Sequence, residues 1–189
     1  MDIKNIAIFA SHNGSGFEAL YEASLKKELD IQIALIISNN TEATVLKKAQ
    51  ELQIPNFIVN DKVCTSVDDR LVELLEKYDC EYIFLSGYMK KISPVITRNY
   101  KVINSHPALL PSYGGAGMYG RFVHEAVIAN REKISGVTIH EVDENYDEGA
   151  IILQKSLTLD ENETVESLET KIKALEKTTI VEGFKKCLN

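Results

Sequence analysis

Short apolar runs rich in β-branched residues alternate, through the first half of the chain, with longer segments of helical period. The short runs predict strands over residues 6–9, 31–38, 56–59, 82–86 and 102–105. The segments 17–29, 41–53 and 66–78 carry apolar residues every three or four positions, which is the spacing of one buried helical face. This alternation predicts an α/β fold, a single domain with an open, mainly parallel, twisted sheet and helices on both faces.

The alternation stops after Ser105, where Pro107 and Pro111 open a loop that continues through four glycines to Gly120. Such a segment is too rich in glycine for a regular element. A helix over 119–130, strands over 134–142 and 150–157, and a closing helix over 165–188 follow it. The sequence contains no internal repeat and no long linker, so one domain over residues 1–189 is expected.

Composition narrows the class of partner. The chain of 189 residues is 44% hydrophobic and 26% charged, which suits one domain with a substantial core. A net charge of −7 argues against broad attraction to nucleic acid or anionic lipid and favours a small-molecule substrate. Three scattered cysteines and the lack of any apolar stretch near about 18 residues predict a soluble, cytoplasmic protein with reduced thiols.

A glycine-containing turn directly after the first strand and before a helix is a candidate anion site. Backbone N–H groups at a helix start and the helix dipole favour a phosphate there, and the turn contains Asn13, Gly14, Ser15 and Gly16. Only two glycines of the dinucleotide fingerprint are present, so the sequence does not favour a nicotinamide cofactor. Position alone leaves phosphate binding and an ordinary tight turn both open.

Asn104 and His106 stand two residues apart at the end of a predicted strand, so in extended backbone they project to the same side. An amide donor beside an imidazole is a minimal apparatus for acyl transfer. Asp147 ends a later acidic connection, and a carboxylate near His106 would raise the pKa of the imidazole and orient it. A strand-end turn with a surface histidine, and a solvated acidic turn, are the alternatives that spacing leaves open.

The remaining titratable residues carry weaker signals. His12 borders the candidate phosphate turn, His124 lies in a predicted helix, and His140 ends a strand from which it could support the Asp147 loop. No pair of histidines has metal-ligand spacing, so no metal is expected. Lys173 and Glu176 lie three apart on the closing helix, which is typical of a surface pair.

Two motifs, in order, resemble the folate-dependent formyltransferases. The first is the segment 104–111, with the pattern N-x-H-P-x-L-L-P, and the second is 140–147, with the pattern H-x-V-D-x-x-x-D. Within that family, the segments 6–20, 85–94 and 149–154 are similar to members that formylate glycinamide ribonucleotide. The resemblance spans nearly the whole chain and implies the formyltransferase fold, with a Rossmann-like amino-terminal half.

The resemblance also implies a set of site residues. Residues 1–100 would bind the ribonucleotide phosphate, and residues 101–189 would hold the catalytic and folate-binding part. The implied catalytic residues are Asn104, His106 and Asp147. The implied ribonucleotide contacts are Asn13, Gly14, Ser15, Gly16, Lys173 and Glu176. The implied folate contacts are Met89, Lys90, Lys91, Ile92, Asn104, Val142, Asp143 and Asp147. The sequence departs from the family's common residues at His12, Gly16 and Lys90.

The reaction that the resemblance implies is transfer of the formyl group of 10-formyltetrahydrofolate, as co-substrate, to the amine of glycinamide ribonucleotide. It requires no metal and no nucleophilic side chain, because the amine attacks the formyl carbon directly. Asp147 would keep His106 protonated. The alternatives are formylation of a charged tRNA, hydrolysis to formate, and non-catalytic binding of a nucleotide or folate. The protein is expected to be a monomer or a homodimer.

Overall fold

The computed structural model describes residues 3–188, so Met1, Asp2 and Asn189 of the predicted domain lie outside the described residues. Strands and helices alternate along most of that length. The strands are β1 (Lys4–Phe9), β2 (Ile31–Ser38), β3 (Asn56–Ile58), β4 (Tyr82–Leu85), β5 (Lys101–His106), β6 (Ile134–Glu141) and β7 (Ile151–Thr158). The helices are α1 (Ser15–Leu25), α2 (Thr44–Glu51), α3 (Val67–Lys77), α4 (Pro94–Asn99), α5 (Arg121–Ala129) and α6 (Val165–Leu188).

The strands form a seven-stranded sheet in the order β3-β2-β1-β4-β5-β6-β7. β1 pairs in parallel with both β2 and β4, and β2 pairs in parallel with β3. Only the hairpin of β6 and β7 adds an antiparallel pair among these. The predicted α/β class with a mainly parallel sheet is therefore confirmed.

The chain divides into two compact units, the first extending to Ile103 and the second beginning at Asn104. In the first unit the core is built on β1 and β2. Every side chain from Ile6 to Ala10 is fully buried, as are the neighbouring Leu35, Ile36 and Ile37 of β2. A strand buried on both faces reads as a continuous apolar run, which is why these strands were visible in the sequence.

In the second unit α6 packs closely against β6. A side chain added at Gly183 would place its Cβ 2.9 Å from Cγ2 of Ile139, so glycine is required for this approach of helix and strand. Ile172, Ile180 and Phe184 of the same helix are almost fully buried. Burying one such side chain contributes about 1.5–3 kcal/mol. This packing fixes α6 on the strand that ends next to Asp147.

Most predicted elements are present with shifts of a few residues at their ends. The sequence interpretation missed α4, although Ser93 followed by Pro94 is a typical helix start, because proline suits the first helical position. α1 ends at Leu25, earlier than the predicted 29, and Lys27 takes a positive φ of 56° beyond it. Within residues 3–188, no helix is long and apolar enough to cross a membrane.

Candidate active site

The turn between β1 and α1 requires glycine at its centre. Gly14 precedes the helix with φ 59° and ψ 48°, a left-handed conformation that other residues rarely adopt. A Cβ at this position would also lie 2.7 Å from Cγ2 of Val45. No side chain caps the helix start at this residue. The backbone N–H of Phe17 in the first turn donates to the hydroxyl of Ser86 at 3.1 Å, so an anion at this helix start would be bound by the N–H groups of Ser15 and Gly16.

Ser11 connects the Gly14 turn to the segment after β4. Its hydroxyl donates to Oδ1 of Asn39 at 2.5 Å and accepts from the backbone N–H of Met89 at 2.7 Å. The backbone N–H of Ser11 donates to the carbonyl oxygen of Gly87 at 3.1 Å. The structure thus brings the predicted phosphate turn and the start of the predicted folate segment together in the first unit.

The predicted folate segment presents its side chains unequally. Met89, Lys90 and Lys91 are exposed, whereas Ile92 is only 5% exposed and belongs to the core. The side chains of Met89, Lys90 and Lys91 are therefore accessible to a ligand. Ile92 could contact a ligand chiefly through its backbone.

Lys48 of α2 is a cation beside the Gly14 turn that the sequence interpretation missed. Its Nζ donates to Oε1 of Glu18 at 2.5 Å and to the carbonyl oxygen of Asn13 at 3.3 Å. Thr44, one helical turn earlier, donates to the side-chain oxygen of Asn13. An amphipathic helix gives no sign of which exposed lysine will face a neighbouring loop, so the sequence carried no signal for this contact.

The predicted catalytic residues meet in the second unit. Asp147, with a positive φ of 59°, directs its carboxylate between two buried histidines. Its Oδ2 lies 3.6 Å from Nδ1 of His106, and its Oδ1 lies 3.5 Å from Nε2 of His140. The backbone N–H of Gly115 donates to Oδ2 at 2.9 Å. The carboxylate is therefore held by the glycine-rich loop rather than by either imidazole.

His140 fixes the orientation of Asn104. Nδ1 of His140 lies 2.8 Å from the carbonyl oxygen of Glu141, an acceptor, so this nitrogen carries the hydrogen of the neutral ring. Nε2 then accepts from the amide Nδ2 of Asn104 at 3.1 Å. Asn104 uses one of its two amide hydrogens in this bond and keeps a second hydrogen for another acceptor. The sequence suggested that His140 supports the Asp147 loop, but it gave no indication of the hydrogen bond between His140 and Asn104.

His106 is held through its other nitrogen by the backbone. Its Nε2 lies 2.7 Å from the carbonyl oxygen of Tyr113, and its side chain is only 3% exposed. Burial lowers the pKa of His106 below its ordinary value, and the Asp147 carboxylate and the Tyr113 carbonyl oppose that effect only in part. Asp147 does act to raise the pKa of His106, as expected, but the expectation that it keeps His106 protonated is wrong, because desolvation of the imidazolium is the larger effect.

Burial also lowers the pKa values of the other two histidines in this unit. Burial lowers the pKa of His140, against the effects of the Glu141 carbonyl and Asp147. Burial also lowers the pKa of His124 in α5, whose Nδ1 has no hydrogen-bond partner among residues 3–188. All three rings are therefore predominantly neutral at neutral pH in this structure.

Glu176 and Lys173 are neighbours on α6 but differ in burial and in hydrogen-bond partners. Glu176 is half-buried, and its Oε1 accepts from the hydroxyl of Ser105 at 2.6 Å. Burial raises the pKa of this carboxyl group. Lys173 is exposed and donates to Oε1 of Glu169 at 2.6 Å. Ser105 thus joins the predicted ribonucleotide contact Glu176 to the strand that carries Asn104 and His106.

The rest of the acidic connection is more open. Val142 is half-buried, whereas Asp143 is exposed and its Oδ1 accepts from the backbone N–H of Asn145 at 2.8 Å. Gly149 allows the connection to return to β6, because a Cβ there would overlap the carbonyl oxygen of Glu141. The side chain of Asp143 supports the turn that presents Asp147.

A cavity of about 590 Å³ lies in the first unit near the start of β1 and β2, but its lining, which includes Asn5, Tyr21 and Ile33, contains no predicted site residue. Residues 3–188 contain no group of three or more His, Cys, Asp or Glu side chains arranged to hold a metal ion.

Comparisons of the sequence and of the structure with known proteins agree on one protein family. The sequence model of the family described as Formyl transferase matches residues 4–183. The chain is 35% identical over 179 residues to phosphoribosylglycinamide formyltransferase of Bacillus subtilis, a match covering 92% of this chain and 89% of that protein. It superimposes with a TM-score of 0.89 and 32% identity on phosphoribosylglycinamide formyltransferase from Bacillus halodurans, covering 98% and 96% of the two chains.

A formyltetrahydrofolate deformylase from Pseudomonas syringae pv. tomato is also similar. Its TM-score is 0.84 and its identity 25%, and the match covers 97% of this chain but 60% of that one. The similar proteins therefore include both formyltransferases and a formyltetrahydrofolate deformylase on one fold. Since the family model covers nearly all of its length, the chain belongs to the formyl transferase family.

Proposed function

We propose that the protein transfers the formyl group of 10-formyltetrahydrofolate to the amine of glycinamide ribonucleotide, a step of purine biosynthesis. The observation that carries the proposal is the cluster in which Asp147 lies between His106 and His140, while His140 orients Asn104. Such a cluster offers hydrogen-bond donors and a proton acceptor within one small region, as acyl transfer requires. The likeness to phosphoribosylglycinamide formyltransferases supports the choice of acceptor.

In the proposed reaction the amine nitrogen attacks the formyl carbon, and negative charge develops on the formyl oxygen. The second amide hydrogen of Asn104 donates to that oxygen, and a preorganised donor of this kind contributes about 3 kcal/mol to lowering the barrier. The bond between the formyl carbon and the folate nitrogen then breaks. The amine loses one proton and the folate nitrogen gains one, so the transfer is balanced without an enzyme-bound intermediate.

His106 and Asp147 manage the protons in this scheme. Because burial lowers the pKa of His106, the resting imidazole is neutral, so its Nδ1 can take up the proton that leaves the attacking amine and return it to the folate nitrogen as the bond to the formyl carbon breaks. The Asp147 carboxylate stabilises the imidazolium from 3.6 Å. It is also placed to relay that proton, directly or through one water molecule, from the amine to Nδ1 of His106.

The predicted ribonucleotide contacts divide between the two units. In the first unit, the helix start at Gly14, Ser15 and Gly16, with Asn13 before it, would bind the phosphate, as the left-handed Gly14 allows. In the second unit, Glu176 would accept hydrogen bonds from the substrate, since Ser105 already orients its carboxyl group. Lys173 would add a positive charge only after leaving Glu169.

The predicted folate contacts are likewise proposals. Met89, Lys90 and Lys91 offer exposed side chains in the first unit, and Ile92 offers its backbone. Val142, Asp143 and Asp147 would contact the pterin from the acidic connection. The loop from Gly114 to Gly120, with positive φ at Gly115, Gly117 and Gly120, would close on the bound substrates and exclude water.

Hydrolysis of the formyl-folate is the second candidate, because one similar structure is a formyltetrahydrofolate deformylase. The same cluster could activate a water molecule as readily as an amine. Which of the two reacts would then depend on whether the amine substrate occupies the site. We also propose that the protein is cytoplasmic, that it is a monomer or a homodimer, and that it has no nucleic-acid or membrane partner.

One assay separates these functions. Purified protein is mixed with 10-formyltetrahydrofolate with and without glycinamide ribonucleotide, and the deformylated folate is followed by absorbance while formate is measured separately. We expect folate release that depends on the ribonucleotide, with little formate. Equal release in its absence, with stoichiometric formate, would establish the hydrolase instead, and no release under either condition would refute both.

A further inference from the structure

The two ring nitrogens of His106 face different groups. Nε2 lies 2.7 Å from the carbonyl oxygen of Tyr113, and a carbonyl oxygen can only accept, so Nε2 carries a hydrogen. Nδ1 faces Oδ2 of Asp147 at 3.6 Å, beyond ordinary hydrogen-bond distance. The neutral ring therefore has its lone pair on the Asp147 side, and a second proton taken up by the ring is placed there.

Tyr113 is itself fixed at both ends. Its backbone has φ 58°, a conformation that bulky residues rarely adopt and that surrounding contacts must maintain. Its phenol donates to Oε1 of Glu132 at 2.7 Å and accepts from Nδ2 of Asn130 at 2.9 Å. These contacts at the end of α5 hold the carbonyl oxygen at its place beside His106.

Building on the function proposed above, we propose that Tyr113 is a positioning residue for formyl transfer. Its carbonyl keeps a hydrogen on Nε2 of His106, so that Nδ1 is the nitrogen that gains and releases the mobile proton next to Asp147. The aromatic side chain acts at a distance, through the bonds of its phenol to Glu132 and Asn130. No substrate contact of the Tyr113 side chain is required.

The other charged or titratable groups around His106 leave this assignment intact. His140 bonds to Glu141 through Nδ1 and to Asn104 through Nε2, so both of its nitrogens are engaged. His124, on α5, interacts electrostatically with His106 and is buried and neutral. Asp147 is therefore the carboxylate that faces the mobile proton, and it accepts a hydrogen bond from the backbone N–H of Gly115.

Nitrogen NMR of the histidine rings tests the tautomer directly and without substrates. The protein is labelled with ¹⁵N-histidine, and His106 is assigned by comparison with His106→Gln. Above the pKa of the ring, we expect the pattern of a neutral imidazole with its hydrogen on Nε2. A hydrogen on Nδ1 would overturn the proposal. Since no substrate is present, this result is independent of whether glycinamide ribonucleotide is the acceptor.

Tyr113→Phe then tests the role of the phenol. This change keeps the backbone and the ring but removes both hydrogen bonds, so we expect kcat to fall roughly five- to tenfold at unchanged KM, as for loss of one such anchoring interaction. The Nε2–H tautomer of His106 should become less populated. Tyr21→Phe, in α1 of the first unit with its ring against Phe17, is the matched control and should change neither quantity.

Glu132 supplies a second pair of variants at an exposed position, which protects the test against a folding defect in Tyr113→Phe. Glu132→Ala removes the acceptor and should reproduce the lower kcat and altered tautomer, whereas Glu132→Gln retains an acceptor oxygen and should restore most of both. Wild-type kcat and tautomer in Tyr113→Phe and Glu132→Ala would overturn the proposal. So would a lower kcat with an unchanged tautomer, because that result indicates a merely structural role.

Discussion

The Oδ2 atom of Asp147 lies 3.6 Å from Nδ1 of His106, with no hydrogen bond between them, although both residues are largely buried. The carboxylate is held instead by the backbone N–H of Gly115. A gap of this size leaves Asp147 close enough to stabilise a protonated ring but free to accept a proton from another group. The relationship suits a proton carrier better than a fixed hydrogen-bonded pair.

Replacing Asp147 by Asn tests that use of the carboxylate. The variant keeps the shape and the acceptor for Gly115 but loses the charge, so we expect kcat to fall by roughly a hundredfold or more while KM for the ribonucleotide changes by less than about threefold. Steady-state kinetics with both substrates measures this. Glu148→Gln, which changes an exposed carboxylate of the same connection that has no proposed role, is the control and should leave kcat unchanged. A rise in KM alone would contradict the proposed role.

Stability should depend on pH through the three buried histidines. Burial lowers the pKa values of His106, His124 and His140 below the ordinary 6.5, so between the folded and unfolded pKa values the unfolded chain binds more protons. The stabilisation is complete above about pH 6.5 and is lost as the pH falls through the folded pKa values. Thermal unfolding between pH 8 and pH 5 should show Tm falling across this window.

His124 allows one contribution to that pH dependence to be isolated. His124→Leu removes a buried, unpartnered nitrogen, so the fall in Tm below pH 6.5 should become shallower. Ile128→Leu, in the same helix, removes no ionisable group and serves as control. Identical curves for His124→Leu and wild type would mean that His124 does not contribute.

Gly14→Ala should destabilise the turn before α1 for two separable reasons. The positive φ costs about 1–2 kcal/mol for any other residue, and a Cβ 2.7 Å from Cγ2 of Val45 adds roughly 1–3 kcal/mol of overpacking. Gly117→Ala shares the positive φ but meets nothing within 4 Å, so it should show only the first effect. Urea unfolding gives both free energies. Equal losses would show that Val45 yields without cost.

Ser15→Ala addresses the proposed phosphate contact. Ser15 is exposed in the first turn of α1, and we expect its loss to raise KM for the ribonucleotide about tenfold with little change in kcat, since the phosphate is remote from the reacting atoms. Ser24→Ala, at the other end of α1, removes a hydroxyl that donates to the carbonyl oxygen of Tyr21 and should be silent. A loss confined to kcat would exclude phosphate binding by this residue.

The sequence was most informative where burial imposes a period on the chain. β1 and β2 are buried over most of their length, and their apolar runs predicted them within two residues. α4 is only six residues long and buries Ile96 alone, so it has no amphipathic face that a periodicity search could detect. Short, partly exposed elements are defined by their end residues instead, here Ser93 and Pro94.

The site was predictable as a set of residue types but not as a set of contacts. Two motifs indicated Asn104, His106 and Asp147, which the structure does bring together. The sequence could not give the balance between burial and charge at His106, because desolvation depends on packing from distant elements. Nor could it give the contact with Tyr113, because that contact is made by a backbone oxygen, which every residue carries.

Following the formyl carbon through one turnover tests directly whether the protein transfers the formyl group to the ribonucleotide. Enzyme in excess is mixed with 10-formyltetrahydrofolate labelled with ¹³C in the formyl group and with glycinamide ribonucleotide, and the label is located by mass spectrometry. We expect the label on the ribonucleotide amine, none on the protein, and little product in the same time with His106→Ala. Label released as formate whether or not the ribonucleotide is present, or retained on the protein, would contradict it.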